Sequence, residues 1–405
     1  MSQYVCDVCH VSFQQKSHYD AHKSRKRPCK KKGLGQFFTE SEALQQFVWD
    51  KVEHRGSTLL EPSFGAGHLL QKFLEGNAEY PMVCYELDDT IAPIVSFGPS
   101  QMVVYGNFLL QPIAQKFRTI VGNPPYVKQG KTNLYVQFIE RCFDVLTDDG
   151  ELIFIVPSDF LKLTSTSSLL NRMTSVGCFT DFLFPHDERL FSSASVDVVV
   201  FRYRKGLISN QTMVNGVSKR YSNSNGIITF SDTEETGTRL EDMFHVYVGL
   251  VSGKDSVFKN PVGTREILCD KGKIERFILE DTFPSGKPAI DEHLTAHKAE
   301  LLERKIRKFN ETNWFEWGAP RNRAAMDKYR DRGCIYVRNM TRQKEVAWKG
   351  TVQYFGGSLL CMVPKEEGID LDRVVRILND PETKNNYMYS GRFKIGHKQL
   401  SNIHI

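Results

Sequence analysis

The chain has 405 residues, of which 40% are hydrophobic and 25% charged, and its formal net charge is +5. This composition predicts two to three globular domains, and no run approaches the roughly 18 apolar residues of a membrane-spanning helix. Nine scattered cysteines, an odd number, argue against a disulfide framework, and the N-terminus has no apolar signal segment, so we expect an intracellular protein of the cytoplasm or nucleus without membrane association.

The N-terminal segment contains cysteines and histidines at spacings that suit a metal. Cys6 and Cys9 are separated by two residues, and His22 follows Cys9 after twelve, with aromatic residues between them. The pattern resembles a zinc finger of the two-Cys, two-His family, in which thiolates from a turn and an imidazole from a helix hold one zinc ion. The family's second histidine is missing at its usual distance, so we expect Cys29 as the fourth ligand, with His18 as the alternative.

A basic segment ends this first region, which we place at residues 1–32. Its cationic residues are Lys23, Arg25, Lys26, Arg27, Lys30, Lys31 and Lys32. Such a cluster supplies contacts to phosphate that do not depend on base sequence. We expect it to contact DNA, and a nuclear-import signal or a solvated linker are the alternatives.

Strand and helix patterns alternate through residues 33–205. The predicted strands are 58–61, 82–86, 102–105, 118–121, 151–156, 180–184 and 196–203. The predicted helices are 41–54, 66–75, 133–146 and 166–175. Alternation of this kind predicts an α/β domain, with helices on both faces of a mostly parallel sheet and a ligand site at the carboxyl ends of the strands.

The first two predicted strands each end in an acid. After the first strand comes Glu61-Pro62-Ser63-Phe64-Gly65-Ala66-Gly67, a glycine-rich turn before a helix, as in nucleotide-cofactor sites. It is not a Walker-type phosphate loop because no Gly-Lys-Ser/Thr follows, and Glu61 suits a cationic amino group. Glu86 ends the second strand, where a carboxylate can bind both hydroxyls of a ribose; a solvated strand-end charge is the alternative.

Asn123-Pro124-Pro125-Tyr126 follows the fourth predicted strand and suits chemistry on a planar exocyclic amine. Such an amine is a poor nucleophile because its lone pair is delocalised into the ring. The Asn123 side-chain oxygen and the Pro124 carbonyl can both accept hydrogen bonds from it, which localises the lone pair, while the prolines remove competing N–H donors. Tyr126 offers a face for base stacking. The alternative is a Pro-Pro turn that merely ends a strand.

Taken in order, these motifs resemble the S-adenosylmethionine-dependent amino-methyltransferases, specifically the gamma-class adenine DNA methyltransferases of TaqI type. The resemblance covers roughly residues 33–205 and continues weakly to the C-terminus. It implies a Rossmann-like methyltransferase fold with one antiparallel strand, and S-adenosylmethionine as cofactor. The cofactor-binding residues that it implies are Thr39, Glu61, Ser63, Gly65, Gly67, Glu86, Leu87, Asn107, Phe108 and Pro125.

The same resemblance implies the catalytic residues Asn123, Pro124, Tyr126 and Phe191, of which Phe191 would contact the target base from another side. One position departs from the family, because Asp usually stands where this chain has Asn107. The amide oxygen of Asn107 can still accept a hydrogen bond from the cofactor's adenine, so we expect weaker cofactor binding at most. The alternative is a simple turn residue.

Residues 206–240 are rich in Ser, Asn, Gly and Thr and are predicted to be a linker. Residues 241–405 are expected to form an α+β target-recognition domain, because the stretch from Val246 to Asp255 resembles the start of that region in the same family. Side chains that suit base or phosphate contact are Trp314, Trp317, Arg321, Arg323, Arg338 and Arg342. The alternative for each is a structural or solvated side chain.

The charge is divided along the chain. Residues 1–35 carry eight Lys/Arg against two Asp/Glu, residues 36–240 carry 17 against 23, and residues 241–405 carry 28 against 23. Basic regions on both sides of an acidic catalytic core suit a polyanionic substrate.

The sequence therefore predicts a monomeric, site-specific DNA methyltransferase that acts on the N6 amine of a flipped adenine within a short duplex motif. A cognate restriction endonuclease is a possible partner. Three alternatives stay open: an adenine-N6 methyltransferase of RNA, a glutamine-N5 methyltransferase of protein, and a non-catalytic DNA-binding protein on the same fold. The intact Asn123 motif argues against the last.

Overall fold

The computed structural model describes residues 39–129, 132–185, 197–232, 237–389 and 391–405, with a few positions nearer the N-terminus. The chain divides into two compact units, Met1–Gly226 and Ile227–Ile405. In the N-terminal region Tyr4–Val5 and Ser12–Phe13 pair as a short antiparallel ladder. Several predicted site residues lie outside the described residues: Cys6, Cys9, His18, His22, Cys29 and Phe191.

Unit 1 alternates helices and strands as predicted. Its helices are α1 Glu42–Lys51, α2 Gln71–Gly76, α3 Leu134–Asp144 and α4 Ser167–Val176, with 3-10 turns at His68–Leu70, Ser158–Leu161 and Thr164–Thr166. Its strands are β1 Leu59–Glu61, β2 Met82–Glu86, β3 Gln101–Tyr105, β4 Phe117–Gly122, β5 Leu146–Pro157, β6 Gly177–Leu183, β7 Val198–Lys205, β8 Gln211–Val214 and β9 Val217–Ser224. A two-residue hairpin, Lys128–Gln129 with Thr132–Asn133, precedes α3.

The strands of unit 1 form one sheet in the order β3-β2-β1-β4-β5-β7-β6-β8-β9. From β3 to β5 every neighbouring pair is parallel. Strand β7 runs antiparallel to both β5 and β6. The first seven strands therefore have the mostly parallel arrangement with one reversed strand that was predicted for a methyltransferase fold.

The central strands are largely buried, as expected for parallel strands with helices on both faces of the sheet. All residues of β1 and β2 are buried, and so is the run from Gly150 to Val156 in β5. On one face the Trp49 ring of α1 packs edge-on against Phe73, with ring centroids 5.0 Å apart. The parallel pairing of β1 to β4 places their carboxyl ends at one edge of the sheet, where the candidate site lies.

The predicted helix 66–75 begins later than expected. Gly65 and Gly67 have φ values of 57° and 88°, in the left-handed region, so regular helix cannot start before His68. The first turn is 3-10, and α2 follows from Gln71. The two glycines form a turn that presents backbone at the end of β1.

The segment 206–240, which was predicted as a linker from its composition, contains regular strands. Strands β8 and β9 lie within it, and β8 pairs in parallel with β6. The turn between them is Asn215-Gly216, with φ values of 49° and 81°. Asn-Gly is a strong hairpin signal because both residues tolerate positive φ, and here it outweighs the polar composition of the flanking strands.

A buried ion cluster fastens the amino ends of the central strands. The Glu151 side chain is fully buried in β5, and its carboxylate accepts hydrogen bonds from Arg202 Nε at 3.1 Å and Nη2 at 2.8 Å. The backbone N–H groups of Glu53 and His54 donate to the other oxygen at 3.0 and 2.9 Å, and the Thr119 hydroxyl donates at 3.2 Å. These contacts join β4, β5, β7 and the loop after α1 at the edge opposite the site.

Unit 2 is an α+β unit. Its helices are α5 Leu240–Met243, α6 Asp255–Phe258, α7 Pro288–Ala296, α8 Lys298–Leu302, α9 Arg323–Lys328, α10 Leu371–Asn379, α11 Pro381–Asn385 and α12 His397–Ser401. Its strands are β10 Ile227–Ser231, β11 Phe244–Val248, β12 Arg265–Asp270, β13 Lys273–Phe277, β14 Gly333–Arg338, β15 Met340–Thr341, β16 Ala347–Thr351, β17 Leu359–Pro364, β18 Met388–Tyr389 and β19 Arg392–Lys394.

An antiparallel sheet in the order β11-β17-β14-β16 forms the centre of unit 2. Strands β12 and β13 form a separate hairpin, and β15, β19 and β18 form a small third sheet. The predicted strand at Ile335–Val337 lies within β14. None of the helices in the described part of the chain is long and apolar enough to cross a bilayer.

Three side chains of unit 2 that suited base or phosphate contact by residue type are buried in the fold instead. Trp314 and Trp317 are both only 3% exposed, and Trp317 Nε1 donates to the Ile278 carbonyl at 2.7 Å. Arg338 is buried, and its Nε donates to Asp270 at 2.7 Å. A side chain buried and paired in this way is not available to a base edge, so these residues specify the core of unit 2.

The ion cluster gives a stability prediction. Arg202→Met leaves the buried Glu151 carboxylate without its cation and should lower the free energy of unfolding by about 3–5 kcal/mol. Arg118→Met is the matched control, because the Arg118–Asp149 pair is 47% and 61% exposed and should contribute at most about 1 kcal/mol. Chemical denaturation measures the loss in free energy of unfolding for each variant. Equal losses in the two variants would contradict a structural role for the cluster.

Candidate cofactor and catalytic site

Four parallel strands end at one edge of the unit 1 sheet. The loops after β1, β2, β3 and β4 carry all the predicted site residues that the structure describes except Thr39, which precedes α1. Because β1 pairs with both β2 and β4, its glycine-rich loop stands between the other two. This is the edge at which parallel α/β sheets bind ligands.

The Asn123 side chain uses both ends of its amide. Its Nδ2 donates to Thr39 Oγ1 at 3.0 Å, and its Oδ1 accepts a hydrogen bond from the Tyr126 hydroxyl at 2.6 Å. Pro124 is buried and Pro125 half-buried, and neither has an N–H to offer. The acceptor oxygen of Asn123 thus already binds a donor at the position predicted for a substrate amine.

Tyr126 is held at both its hydroxyl and its ring. The hydroxyl also lies 3.0 Å from the Ile155 carbonyl oxygen, and the ring stands edge-on to Tyr135 with centroids 6.4 Å apart. Burial raises the pKa of the Tyr126 phenol well above its ordinary value, and Tyr135 contributes in the same direction. The phenol therefore stays a neutral hydrogen-bond donor at physiological pH.

Glu61 is a buried acid, only 1% exposed, at the end of β1. Burial raises its pKa to about 8; the Ser63 backbone N–H, which donates to its carboxylate at 2.9 Å, acts in the opposite direction, and Glu86 raises it further. Among the described residues no lysine or arginine forms an ion pair with it. A desolvated acid of this kind would favour a cationic ligand group over a phosphate.

The loop that follows β4 and the loop that follows β1 touch at Gly122. A Cβ atom on Gly122 would lie 3.2 Å from Pro62 Cδ and 3.3 Å from a Glu61 carboxylate oxygen. Ser63 Oγ donates to the Asn123 carbonyl at 3.4 Å. The backbone at Gly122 and Asn123 is therefore in contact with the loop that begins at Glu61.

The Glu86 side chain holds the glycine turn through hydrogen bonds. Its carboxylate accepts hydrogen bonds from the backbone N–H of Gly65 at 2.9 Å and of Asp88 at 2.8 Å. A carboxylate has about four lone-pair sites, so two stay available for ligand hydroxyls. The adjacent Leu87 is 55% exposed, which leaves an apolar surface beside this acid.

Gly67 is required by space as well as by its backbone angle. A Cβ atom there would lie 2.7 Å from Val95 Cγ2, and φ is 88°. The chain after β1 therefore passes close to the loop that follows β2. A glycine without a side chain also lets a ligand approach the backbone closely.

Asn107 and Phe108 shape the turn after β3. The Asn107 side-chain oxygen accepts from the Leu109 N–H at 3.0 Å, so the turn interpretation of this residue applies. The Phe108 ring is buried, stacked on Phe138 at 5.5 Å and edge-on to Tyr85 at 5.3 Å. Phe108 therefore positions the turn from within the core, and Asn107 keeps its amide N–H groups and one oxygen lone pair for a ligand.

These features fit S-adenosylmethionine. The cofactor carries a cationic amino group and a ribose. The site offers a buried acid that has no paired cation among the residues the structure describes, a second acid with unused lone pairs, an exposed leucine and a closely approaching glycine turn. Most of the predicted cofactor residues are brought to this edge, and Thr39 contacts Asn123 there. Among the described residues no cluster of His, Cys, Asp and Glu could hold a metal ion.

Two glutamines of the site were missed by the sequence reasoning. Gln45 on α1 is 3% exposed, and its Nε2 donates to the Thr39 carbonyl at 2.8 Å and to Gln71 Oε1 at 3.3 Å. The available signal was a polar residue within the apolar stripe of Leu44 and Val48. A buried glutamine on such a face needs hydrogen-bond partners, and here they are parts of the site.

Comparison with known proteins identifies restriction-modification methyltransferases as relatives. Residues 103–191 match the family described as Eco57I restriction-modification methylase. The chain is 27% identical over 213 residues to the Type II methyltransferase M.HincII of Haemophilus influenzae. The aligned region covers 47% of this chain and 41% of that protein. It is 34% identical over 149 residues to the modification methylase CviBIII of Paramecium bursaria Chlorella virus NC1A, which covers 32% and 39%.

A solved structure of the methyltransferase subunit of a type I restriction-modification system from Streptococcus thermophilus aligns with a TM-score of 0.37 and 15% identity. It covers 50% of this chain and 51% of that one. This chain spans about two fifths of the length of the curated relatives named above.

The buried Glu61 predicts a dependence of stability on pH. Its ordinary pKa of 4.5 applies to the unfolded chain and about 8 to the folded one, so its contribution to stability is present below pH 4.5 and lost as pH rises through about 8. Glu61→Gln should therefore stabilise the chain at about pH 9, by an amount on the order of a few kcal/mol, and much less at about pH 5.

Denaturant titrations at both pH values make this test. Glu79→Gln, at an exposed loop position, serves as the control and should leave the free energy of unfolding unchanged at both pH values. A stability difference between Glu61→Gln and the parent chain that does not vary with pH would show that Glu61 keeps an ordinary pKa in the fold.

Proposed function

We propose that this chain methylates the N6 amine of adenine in a short motif of duplex DNA, with S-adenosylmethionine as the methyl donor. The observation that carries the proposal is the Asn123 amide, whose oxygen accepts a donor at 2.6 Å beside the buried Glu61. The relatives among restriction-modification methyltransferases support DNA as the substrate.

The proposed reaction asks the protein to activate a poor nucleophile. Asn123 Oδ1 and the Pro124 carbonyl accept hydrogen bonds from the two amine protons, which localises the nitrogen lone pair. In a site shielded from water these contacts act without reorganisation, so positioning and electrostatics supply the rate. The Tyr126 hydroxyl, which now donates to Oδ1, holds the place that the substrate amine takes.

The cofactor would be held by the residues at the strand ends. Glu61 takes its amino group, Glu86 its ribose hydroxyls, and Leu87, Asn107 and Pro125 border its purine. Gly65 and Gly67 let the backbone approach. When bound, the cofactor supplies an activated methyl group to the amine that Asn123 presents.

The adenine must leave the helix stack before its amine can reach Asn123. Tyr126 stacks on one face of the extruded base, and Phe191 contacts it from another side. Residues 241–405 act as the target-recognition domain, and their excess of basic residues supplies phosphate contacts. The protein works as an intracellular monomer, and a restriction endonuclease of the same specificity is its expected partner.

The N-terminal segment is proposed to fold as a zinc finger. Cys6, Cys9, His22 and Cys29 hold the ion, and the basic residues that follow strengthen DNA binding.

Asn123→Ala should abolish methyl transfer while S-adenosylmethionine still binds, because the side chain contacts the amine rather than the cofactor. Transfer of labelled methyl to unmethylated duplex DNA, with RNA and protein as competing acceptors, measures the loss. Asn171→Ala, at an exposed position of α4, is the matched control and should keep full activity. Activity retained by Asn123→Ala would sink the assignment, and label in RNA or protein alone would redirect it.

One zinc ion per chain should be found in the purified protein by elemental analysis, and Cys6→Ser should lose it. Removal of the ion should weaken DNA binding more than cofactor binding, because the finger lies outside the cofactor loops. A metal-free protein with full DNA affinity would refute the finger.

A further inference from the structure

Three aromatic rings of unit 2 form a cluster at the edge of its central sheet. His245 and Tyr247 alternate along the edge strand β11, and Tyr329 follows α9. Each pair of ring centroids lies between 6.1 and 6.3 Å apart, with interplanar angles between 27° and 36°. All three side chains are half-buried, and the two tyrosines pack against the core of unit 2. We call these three rings the aromatic cluster.

Two cations lie against one ring of the aromatic cluster. Lys328 Nζ is 4.9 Å from the centroid of the Tyr329 ring, and Arg332 Cζ is 5.8 Å from it. Both distances are within the range of about 6 Å at which a ring face attracts a cation. A cation held by a ring keeps its full charge, whereas a carboxylate partner would neutralise it.

A third cation reaches the aromatic cluster from the neighbouring strand. His245 stands opposite Val363 in the ladder of β11 and β17, and Lys365 lies two residues further along, on the same face. The Lys365 N–H donates to the Met243 carbonyl at 2.9 Å, so the pairing extends to this residue. Burial lowers the pKa of His245, and the charges of Lys365 and the other two cations lower it further. The imidazole therefore stays neutral beside them.

Among the described residues, these three cations have no carboxylate partner. No Asp or Glu of that part of the chain lies within ion-pair distance of Lys328, Arg332 or Lys365, and Lys365 Nζ donates instead to the Glu241 carbonyl at 2.7 Å. Other cations of unit 2 do have such partners, among them the pairs Lys254–Glu300, Lys298–Glu311 and Lys349–Asp372. Like charges gathered without a counter-charge repel one another, and a bound anion relieves that repulsion.

The chemistry of this surface suits a phosphate backbone. The aromatic cluster and the three cations contain only side chains that can donate hydrogen bonds, and none of them is an acid. Lysine, arginine and tyrosine commonly contact phosphate oxygens in protein–DNA complexes. Lys328 and Lys365 are exposed while the rings are half-buried, so the cations rather than the ring faces are the groups that reach a ligand.

We propose that Lys328, Arg332 and Lys365, gathered around the aromatic cluster, bind phosphates of the duplex DNA backbone. The inference rests on the proposed function, in that it takes DNA as the polyanion, and it locates phosphate contacts on unit 2. None of the three cations was among the side chains that the sequence suggested for DNA contact. Arg323, which was among them, is paired with Asp281 at 3.0 Å.

The test measures binding of the full chain to a duplex oligonucleotide by fluorescence anisotropy over a series of NaCl concentrations. In Lys328→Gln/Arg332→Gln/Lys365→Gln, the slope of the logarithm of the association constant against the logarithm of salt concentration should fall in magnitude by about one for each lost phosphate contact, roughly three in all. The double variant Lys328→Gln/Lys365→Gln, which changes exposed side chains alone, should lose about two. The losses should be equal on a duplex of unrelated sequence, because phosphate contacts do not read bases.

The matched control is the triple variant Lys254→Gln/Lys298→Gln/Lys349→Gln, which removes the same charge from paired positions and should nearly keep the parent slope. Equal changes of slope in the two triple variants would overturn the inference, since net charge alone would then be at work. An unchanged slope in the first triple variant, or a loss confined to one base sequence, would also overturn it.

Methyl transfer by the same proteins separates this inference from the proposed function. A first triple variant that methylates adenine in DNA with the salt dependence of the parent would refute the phosphate contacts and leave the activity intact. A parent chain that binds structured RNA but no duplex DNA would overturn DNA as the ligand, and the slopes measured on RNA would decide the phosphate contacts by the same criterion. A parent chain that binds neither nucleic acid would refute both.

Discussion

The parallel pairing of β1 with β4 brings the two loops of the candidate site into contact. Leu60 is in register with Ile120, so the residues that follow each strand leave the sheet side by side. Gly122 has no side chain, and this allows Pro62 and the Glu61 carboxylate to approach the start of the catalytic loop. The proposed site depends on this contact, because it brings the loop of Asn123, which is proposed to bind an amine, against the loop of Glu61, which is proposed to bind the methyl donor.

The candidate site lowers the stability of the fold. Glu61 is desolvated with no cation beside it among the described residues, and burial that raises its pKa to about 8 is burial that costs stability. The Arg202–Glu151 cluster at the opposite edge shows how the same fold treats a buried acid that has a structural role. There one carboxylate oxygen accepts two hydrogen bonds from a single arginine, and the other accepts three further hydrogen bonds. The contrast between two buried glutamates in one sheet fits the proposed role of Glu61 in binding a ligand.

Much of unit 1 could be predicted from its sequence, because apolar runs separated by glycine turns specify parallel strands and the helices that cover them. All seven predicted strands of this unit occur, with ends shifted by a few residues. The strands at 211–224 were missed because their composition is polar, although Asn215-Gly216 carried the turn signal. Trp314, Trp317 and Arg338 suited base contact by residue type, but burial depends on tertiary packing that a local pattern does not contain. The same limit applies to Thr39 and Gln45, whose hydrogen bonds to the site join residues up to 84 positions apart.

The most direct test of the account is the identity of the methylated nucleoside. The full chain is incubated with labelled S-adenosylmethionine and unmethylated genomic DNA, and the DNA is digested and separated into nucleosides. Acceptance of an amine by Asn123 predicts label in N6-methyladenine, confined to one short motif. Label at a ring carbon such as that of 5-methylcytosine, or DNA without label, would contradict the central role assigned to the Asn123 amide.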